Sequence, residues 1–234
     1  MHASDKLTKE QWENLPITDD NFDKSYYEEG GHCGFKVPYD WENMRVHVEK
    51  KVDFIEKIYR LLNWNSILFC GCAKGFEVKE ARRRGYDAKG IDISQYAIDN
   101  VDPKAKGYVT LGDVADIPFP DNSFDIVAVF DVLHILPEGS LGYEKRERAY
   151  KEVQRVAKKG VVIRTTAKWR EGKEGYYQDG NPLTLWTPDQ IIRGIEWHDK
   201  HTFFFTMLSN RFEISWFFFA RKDEEKLLWR DYYV

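Results

Sequence analysis

The feature that most constrains the fold of this chain is a stretch that changes abruptly from apolar to glycine-rich. Residues 67–70 are apolar, small residues follow at Gly71, Ala73 and Gly75, and an amphipathic segment then runs over residues 76–84. This order predicts a strand, a tight turn and a helix, because glycine lacks the Cβ that would obstruct a sharp turn. The turn also leaves room for a ligand to approach the backbone amides at the start of the helix.

The next strand-like segment ends in an acid. Residues 88–93 read Ala-Lys-Gly-Ile-Asp-Ile, which places Asp92 near the carboxyl end of this segment. A glycine-rich turn followed by an acid at the end of the next strand is typical of a site for a nucleoside-bearing cofactor, because the acid accepts hydrogen bonds from ribose hydroxyls. We predict this role for Asp92 in preference to that of a helix N-terminal acid beside Ser94.

Composition favours one domain in a reducing compartment. A chain of 234 residues that is 42% hydrophobic can bury one sizeable core. Its formal charge of −4 gives no overall electrostatic signal for binding nucleic acid or an anionic membrane, and leaves local basic patches as the alternative. The first thirty residues contain no apolar signal core, and no apolar run reaches membrane-spanning length. We therefore predict a cytoplasmic protein that binds neither nucleic acid nor membrane.

The cysteines favour packing over metal binding. Cys70 and Cys72 lie one residue apart, which makes a disulfide between them geometrically implausible. Without a second pair they would make a poor tetrahedral metal site, so we expect two small buried side chains.

The chain divides into an arm, a domain and a tail. Residues 1–40 form the predicted N-terminal arm, polar at first and then a flexible aromatic loop with a candidate lid. Residues 41–222 form the domain, which opens with an amphipathic helix capped by Asp40, and residues 223–234 form a C-terminal tail.

Strands alternate with helices through the domain. Further strands are predicted at residues 107–111, 124–131 and 161–164, and the long apolar run 124–131 suits a strand buried on both faces. A helix over residues 141–157 is predicted to be closed by Gly160.

The last third of the chain departs from this alternation. A polar aromatic insertion occupies residues 167–186, and residues 202–208 and 211–222 form a predicted antiparallel hairpin. The pattern predicts an α/β fold with a Rossmann-like, doubly wound, seven-stranded sheet and a C-terminal antiparallel β-hairpin.

As a set, these residues resemble the class I S-adenosylmethionine-dependent methyltransferases over residues 41–222. The resemblance implies S-adenosyl-L-methionine as cofactor, with Asp92 on the ribose and Asp113 near the adenine amino group. An ordinary turn aspartate is the alternative for Asp113, and for Asp131 a cofactor or substrate contact competes evenly with a helix cap. The cofactor-binding residues that the resemblance implies are Cys70, Gly71, Cys72, Ala73, Gly75, Asp92, Ile93, Asp113, Val114 and Asp131.

Two positions depart from the family pattern. The family's first strand usually ends in an acid two residues before the first glycine, and here that position holds Phe69. Ala73 stands where the central glycine is usual. The first change removes a polar contact to the methionine end of the cofactor, whereas the second adds only a methyl group.

The resemblance places one candidate base near the acceptor, and aromatic residues in the glycine-rich, irregular segments are further candidates for the site. His134 is the candidate base, with a packed helix-start histidine as the alternative. A Glu-His pair that holds a metal in some members is replaced by His134-Ile135, so no metal is predicted. The lid and acceptor pocket could use aromatic side chains from the arm and the insertion, although plain core packing is the alternative. The lid candidates are Tyr26, Tyr27 and Trp41, and the pocket candidates are Trp169, Tyr176, Tyr177 and Trp186.

Three functions remain open at this stage. The first is a methyltransferase acting on a small-molecule acceptor, such as a sugar-like or hydroxylated one. The second is a nicotinamide-dependent oxidoreductase, which needs a third glycine in the neighbourhood that Phe76 occupies. The third is a non-catalytic S-adenosylmethionine-binding scaffold.

Overall fold

The predicted α/β architecture is confirmed in the computed structural model. The structure describes residues 18–29, 37–60, 63–136, 140–166, 175–176, 182–183, 191, 193–195, 200–208 and 213–221. Within these ranges a twisted sheet forms the centre, with helices packed on both of its faces.

The main sheet has the strand order β3-β2-β1-β4-β5-β9-β8 and contains seven strands among the described residues. The first five positions in this order are joined by parallel pairs, whereas β9 is antiparallel to both β5 and β8. This confirms the predicted C-terminal hairpin at the sheet edge. The strands are β1 Ser66–Cys70, β2 Asp87–Asp92, β3 Val109–Leu111, β4 Phe124–Phe130, β5 Ala157–Thr166, β6 Gly175–Tyr176, β7 Pro182–Leu183, β8 Lys200–Leu208 and β9 Glu213–Arg221, of which β6 and β7 form a separate pair.

Two of the helices begin directly after a side chain that caps them. As predicted, Oδ1 of Asp40 accepts a hydrogen bond of 2.9 Å from the amide of Asn43. Oγ of Ser94 likewise accepts one of 3.0 Å from the amide of Ala97. The helices are α1 Lys24–Glu28, α2 Trp41–Tyr59, α3 Phe76–Arg83, α4 Gln95–Asp99 and α5 Ser140–Val156, with 3-10 turns at Asp19–Asn21 and Leu133–Ile135.

Alternate residues of the central strands point to opposite faces of the sheet and pack in two different hydrophobic cores. Leu68 and Val127 pack beneath α5, whereas Ile67 and Ile126 pack beneath α2 and α3. All four are fully buried. Strand β4 is therefore covered on both faces, as its continuous apolar sequence predicts.

Two local predictions were wrong. Gly160 does not close a helix, because α5 ends at Val156 and Gly160 lies inside β5 opposite Ile126. A Cβ at Gly160 would stand 2.9 Å from Cε1 of Tyr59, so glycine there makes room for the aromatic ring that α2 lays on the sheet. The supposed flexible loop after residue 20 contains the short helix α1, because Tyr27 is only 3% exposed and anchors it.

Candidate functional site

The loop after β1 is shaped by close backbone contacts with its neighbours. The amides of Gly71 and Cys72 both donate to the carbonyl oxygen of Ile91, at 2.9 and 3.1 Å, which ties the loop to β2. Gly71 has φ +72°, and a Cβ there would stand 2.2 Å from Cγ2 of Val132. Only glycine fits this position without displacing the segment after β4.

Ala73 holds a conformation that glycine would adopt more easily. Its φ is +48°, a left-handed value that costs a non-glycine residue about 1–3 kcal/mol. The amide of Ala73 donates a hydrogen bond of 2.7 Å to Oδ2 of Asp92, and this contact compensates for part of the cost. Strain of this kind is found where surrounding structure fixes a functional backbone.

Asp92 is buried at the end of β2 with both oxygens engaged. Oδ1 accepts a hydrogen bond of 2.9 Å from the amide of Ser94, while Oδ2 accepts the bond from Ala73. Burial raises the pKa of Asp92 to about 6, although the two amide donors lower it, and the nearby charge of Glu77 adds to the rise. A carboxylate with a raised pKa gains from any further donor, so Asp92 is suited to accept hydroxyl hydrogen bonds from a ligand.

The N-terminal segment docks on the start of α4, directly beside Asp92. Oγ of Ser94 donates to the carbonyl oxygen of Phe22 at 2.6 Å, and the amide of Gln95 donates to Oδ1 of Asp19 at 2.6 Å. The ring of Tyr27 stacks on that of Tyr96 with a centroid separation of 5.8 Å. These contacts hold residues 19–28 across the loop edge of the sheet.

Tyr26 and Tyr27 have different surroundings in this segment. Tyr27 is buried, and burial together with the charge of Asp92 raises the pKa of its hydroxyl far above the usual value. Tyr26 is partly exposed and meets Tyr27 edge-on, with ring centroids 4.9 Å apart. Trp41, at the start of α2, lies beneath the ammonium group of Lys79 at 3.7 Å and beside Phe76.

An ion pair connects the arm to the glycine-rich loop. Nζ of Lys74, inside the loop, contacts Oε1 of Glu28 at the end of α1. The hydroxyl of Tyr96 donates to the same oxygen at 3.2 Å. The pairing lowers the pKa of Glu28, so the carboxylate is charged at neutral pH and the contact is formed there.

Asp113 and Val114 follow β3 at the same edge of the sheet. The amide of Gly112 donates to the carbonyl oxygen of Asp92 at 2.9 Å, which fixes this turn beside β2. Oδ1 of Asp113 accepts a hydrogen bond of 2.9 Å from the amide of Ala115, and Oδ2 lies 2.7 Å from Nζ of Lys145 on α5. Val114 is buried. Asp113 therefore holds a carboxylate at this edge, paired with Lys145, next to the buried Val114.

A cluster of four charged residues lies beyond the loop, at the ends of β4 and β5. Nζ of Lys51 lies 2.7 Å from Oε1 of Glu77 and 3.9 Å from Oδ2 of Asp131. The guanidinium of Arg164 contacts the same Asp131 oxygen, and the amide of Asp131 donates to the carbonyl oxygen of Arg164 at 2.8 Å. Asp131 has φ +59°, a second left-handed non-glycine residue at this edge. We call Lys51, Glu77, Asp131 and Arg164 the charged cluster.

Sequence reasoning missed three members of the charged cluster. Lys51 comes between the buried residues Val48, Val52 and Ile55 on α2, and a lysine among core-facing positions was the available signal. Glu77 and Arg164 gave no comparable signal, because acids are common in the first turn of a helix and Arg164 ends an otherwise apolar strand run.

His134 lies inside the protein. It is 3% exposed in the 3-10 turn after β4, and its Nδ1 lies 3.1 Å from Oγ1 of Thr165. Burial lowers the pKa of His134 to about 4, so the ring is neutral at neutral pH. A neutral ring with so low a pKa is a weak proton acceptor.

The remaining predicted site residues are placed as follows. Cys70 and Cys72 are buried free thiols whose pKa values are raised by burial, and Ile93 is partly buried beside Asp92. Tyr176 belongs to β6, while Trp169, Tyr177 and Trp186 lie outside the described residues.

The described part of the chain has neither a metal-binding cluster nor a membrane-spanning helix. No group of three or more His, Cys, Asp or Glu side chains there is arranged to hold a metal ion. None of its helices combines the length and apolar character that crossing a bilayer requires.

A family model described as a methyltransferase domain matches residues 68–164. The match runs from within β1 to within β5 and includes the glycine-rich loop, Asp92, Asp113 and Asp131. It confirms, for this segment, the predicted resemblance to S-adenosylmethionine-dependent methyltransferases. No curated protein matches the chain.

Solved structures share the fold at low sequence identity. Magnesium protoporphyrin IX methyltransferase from Synechocystis PCC 6803, with bound SAH, gives a TM-score of 0.62 at 14% identity, over 87% of this chain and 97% of that chain. An amino pentose methyltransferase from Micromonospora echinaspora gives a TM-score of 0.58 at 14% identity, over 80% of this chain and 99% of that chain. The cyclase SpnF gives a TM-score of 0.57 at 15% identity, over 74% of this chain and 80% of that chain.

Proposed function

We propose, from the methyltransferase domain at residues 68–164, that this chain is an S-adenosylmethionine-dependent methyltransferase with a small-molecule acceptor. One observation carries the proposal: the amide of Ala73 and the carboxylate of Asp92 join the glycine-rich loop and the end of β2 into one preformed unit. A cofactor that has both a ribose and an extended chain would contact both parts of that unit. The cofactor supplies a methyl group carried on a positively charged sulfonium sulfur.

Each residue of this edge has an assignment in the proposal. Asp92 accepts the ribose hydroxyls, Asp113 accepts the adenine amino group, and Ile93 and Val114 flank the base. The backbone of residues 70–75 faces the remainder of the cofactor. Lys145 already neutralises Asp113, so we expect the amino group to compete with or share this contact.

Charge favours this cofactor over a nicotinamide dinucleotide. A dinucleotide places its pyrophosphate at the start of the helix after the first strand. Here the first turn of α3 holds Glu77, which is 4% exposed, and the buried Asp92 lies within reach of its charge. An acid in the first turn of α3 is unfavourable for a pyrophosphate at that helix start, whereas Asp92 suits the ribose of either cofactor. Glu77 is therefore the residue that disfavours the second candidate function.

The acceptor part of the proposal rests on the relatives. The two methyltransferases named above act, by their names, on a tetrapyrrole and on an amino pentose, both small molecules. We propose a hydroxylated or sugar-like acceptor for this chain. SpnF, by contrast, is named as a cyclase, so the same fold accompanies a different reaction and does not by itself specify methyl transfer.

Positioning carries most of the catalysis in this proposal. Methyl transfer requires the acceptor atom to approach the methyl carbon in line with the sulfur, and holding that geometry supplies much of the rate. His134 is the candidate base, with a packed histidine as the alternative, and its pKa of about 4 makes any contribution as a base small. A His134→Gln variant should therefore retain most of its kcat and show no new ionisation in the pH–rate profile above pH 5.

The proposal includes a lid formed by residues 19–28. This segment is anchored on both sides of the Asp92 site, by Ser94 and Gln95 on α4 and by Lys74 in the loop. Exchange of the cofactor would require at least part of these contacts to open.

Calorimetric titration of the full chain tests the cofactor assignment. We expect heat with S-adenosylmethionine and S-adenosylhomocysteine and none with NAD. Absence of heat with both sulfur compounds would overturn the proposal. The enzyme and scaffold readings are separated by incubating the chain with tritiated methyl donor and cell metabolites, since a scaffold transfers no label.

A further inference from the structure

Glu77 contains a buried oxygen that the described protein leaves without a hydrogen bond. Its Oε1 is paired with Lys51, whereas its Oε2 has no hydrogen-bond partner among the residues that the structure describes. The residue is 4% exposed, so water has little access to the carboxylate. A buried acceptor without a donor costs folding free energy, and such an atom calls for a ligand or a function.

The carboxylate of Glu77 lies in the same electrostatic environment as Asp92. Its charge contributes to raising the pKa of Asp92 and also that of the buried Tyr39. On its other side, Lys51 links it to Asp131 at the end of β4. The carboxylate of Glu77 is therefore paired with the charged cluster through Lys51 and is close enough to Asp92 for its charge to act there.

The strand order gives the direction in which the cofactor extends. Asp113 follows β3 and Asp92 ends β2, so the nucleoside is assigned to that side of the edge. The next strands in the sheet are β1 and then β4. The opposite end of the cofactor must therefore reach the loop after β1 and the charged cluster.

We propose that the charged cluster binds the amino-acid end of S-adenosylmethionine, with Oε2 of Glu77 accepting a hydrogen bond from the ammonium group and Lys51 and Arg164 attracting the carboxylate. The inference rests on the proposed function, because it assumes that cofactor. The cluster holds two positive and two negative side chains, which complements a zwitterion.

This assignment explains how the chain tolerates Phe69 where an acid is usual. Phe69 is buried in the core and its ring lies 6.0 Å from that of Phe130, so it offers the cofactor no charge. Glu77 provides a carboxylate from the first turn of α3 instead. The acidic function has moved from the strand to the helix on the other side of the loop.

Glu80 shows what a purely structural acid on the same helix looks like. It is also buried, but both of its oxygens are paired, Oε2 with Arg83 and Oε1 with Arg83 and Arg84. No ligand is needed to satisfy it. Glu80→Gln is therefore a matched control for Glu77→Gln.

The test compares S-adenosylhomocysteine with methylthioadenosine, which has the nucleoside and the sulfur but no amino-acid end. Calorimetry on the full chain should show that Glu77→Gln weakens binding of S-adenosylhomocysteine by about tenfold or more, as expected for a lost charged hydrogen bond. Binding of methylthioadenosine should change by less than about twofold, because Glu77 does not contact it. Glu80→Gln should leave the ratio of the two affinities unchanged.

The outcomes are distinguishable from failure of the proposed function. If the wild-type chain binds neither compound, the cofactor assignment fails. If it binds both and Glu77→Gln weakens them equally or not at all, the assignment of Glu77 is refuted. Should Glu77→Gln fail to fold, the double variant Lys51→Met with Glu77→Met removes both charges together and is expected to fold. This double variant should retain the wild-type affinity for methylthioadenosine and lose the preference for S-adenosylhomocysteine.

Discussion

The amide of Ala73 donates a 2.7 Å hydrogen bond to the carboxylate of Asp92, and this one contact joins the loop after β1 to the end of β2. The loop and the acid are separated by α3 in the sequence, so the bond exists only once β1 and β2 are paired. Folding of the sheet therefore forms the proposed cofactor site. The ionisation of Asp92 is expected to affect both the stability of the fold and the affinity for the cofactor.

Binding of S-adenosylhomocysteine should weaken as the pH falls through about 6. The pKa of Asp92 without ligand is about 6, and hydroxyl donors favour its charged form. Affinity is therefore complete above that pH, and it should drop by roughly tenfold at pH 5. Calorimetry at pH 7.5 and pH 5 measures the change, and a flat profile in the wild type would contradict the assignment.

Asp92→Asn provides the control for this pH dependence and has a second consequence. A buried acid with a raised pKa favours folding most below its unfolded value of 3.8, and that contribution is lost as the pH rises through about 6. By linkage the change is on the order of 3 kcal/mol in the free energy of unfolding. Urea titrations of the ligand-free chain should show this decline between pH 4 and 7, and Asp92→Asn should remove most of it.

Gly71→Ala should destabilise the chain far more than a glycine replacement at a second positive-φ position. At Gly71 the new Cβ would stand 2.2 Å from Cγ2 of Val132, whereas Gly107 has φ +84° and no heavy atom within 4 Å of the Cβ position. Gly107→Ala therefore costs only the backbone strain, about 1 kcal/mol, and Gly71→Ala costs about 1–3 kcal/mol in addition. Urea unfolding of both variants measures the difference.

A Val132→Ala background separates the clash from the strain. It removes the methyl group that the new Cβ would strike, so Gly71→Ala should become nearly as mild as Gly107→Ala in that background. An unchanged cost would show that the clash is not the cause.

The parts of the site that follow from short-range patterns were predictable from the sequence. The strand, glycine-rich turn and helix around Gly71, and the caps at Asp40 and Ser94, depend on residues a few positions apart. Asp92 could be assigned because strand ends at one edge of a parallel sheet share a site. Local chemistry decided each of these features.

The features that were missed depend on distant pairs or on burial. Glu77 meets Lys51 from another helix, and Ser94 meets Phe22 across 72 positions, so neither pair leaves a local signature. The burial of His134 depends on how the surrounding elements pack, and no sequence pattern within the turn indicates it. Gly160 was misread because α5 passes into β5 without a breaking residue.

Tyr59→Phe should lower stability without affecting the cofactor. The hydroxyl of Tyr59 lies 2.8 Å from the carbonyl oxygen of Val161 and 3.1 Å from that of Phe219, so one proton serves two buried acceptors at the β5–β9 pairing. Removing it should cost about 1–2 kcal/mol in the free energy of unfolding. The affinity for S-adenosylhomocysteine should stay within about twofold, because no assigned residue is involved. Equal stability of the variant would show that the hydrogen bonds have no net value.

Glu28→Gln should accelerate release of the bound cofactor product. The ion pair of Glu28 with Lys74 joins the arm to the glycine-rich loop, and the Lys74 side chain is only 10% exposed, so the contact is poorly screened by solvent. If residues 19–28 form a lid, weakening this contact should raise the dissociation rate of S-adenosylhomocysteine by about three- to tenfold. Glu29→Gln is the matched control, because Glu29 pairs with Lys24 at 3.7 Å between side chains 58% and 67% exposed. Stopped-flow displacement measures both rates, and equal rates in the two variants would exclude the lid.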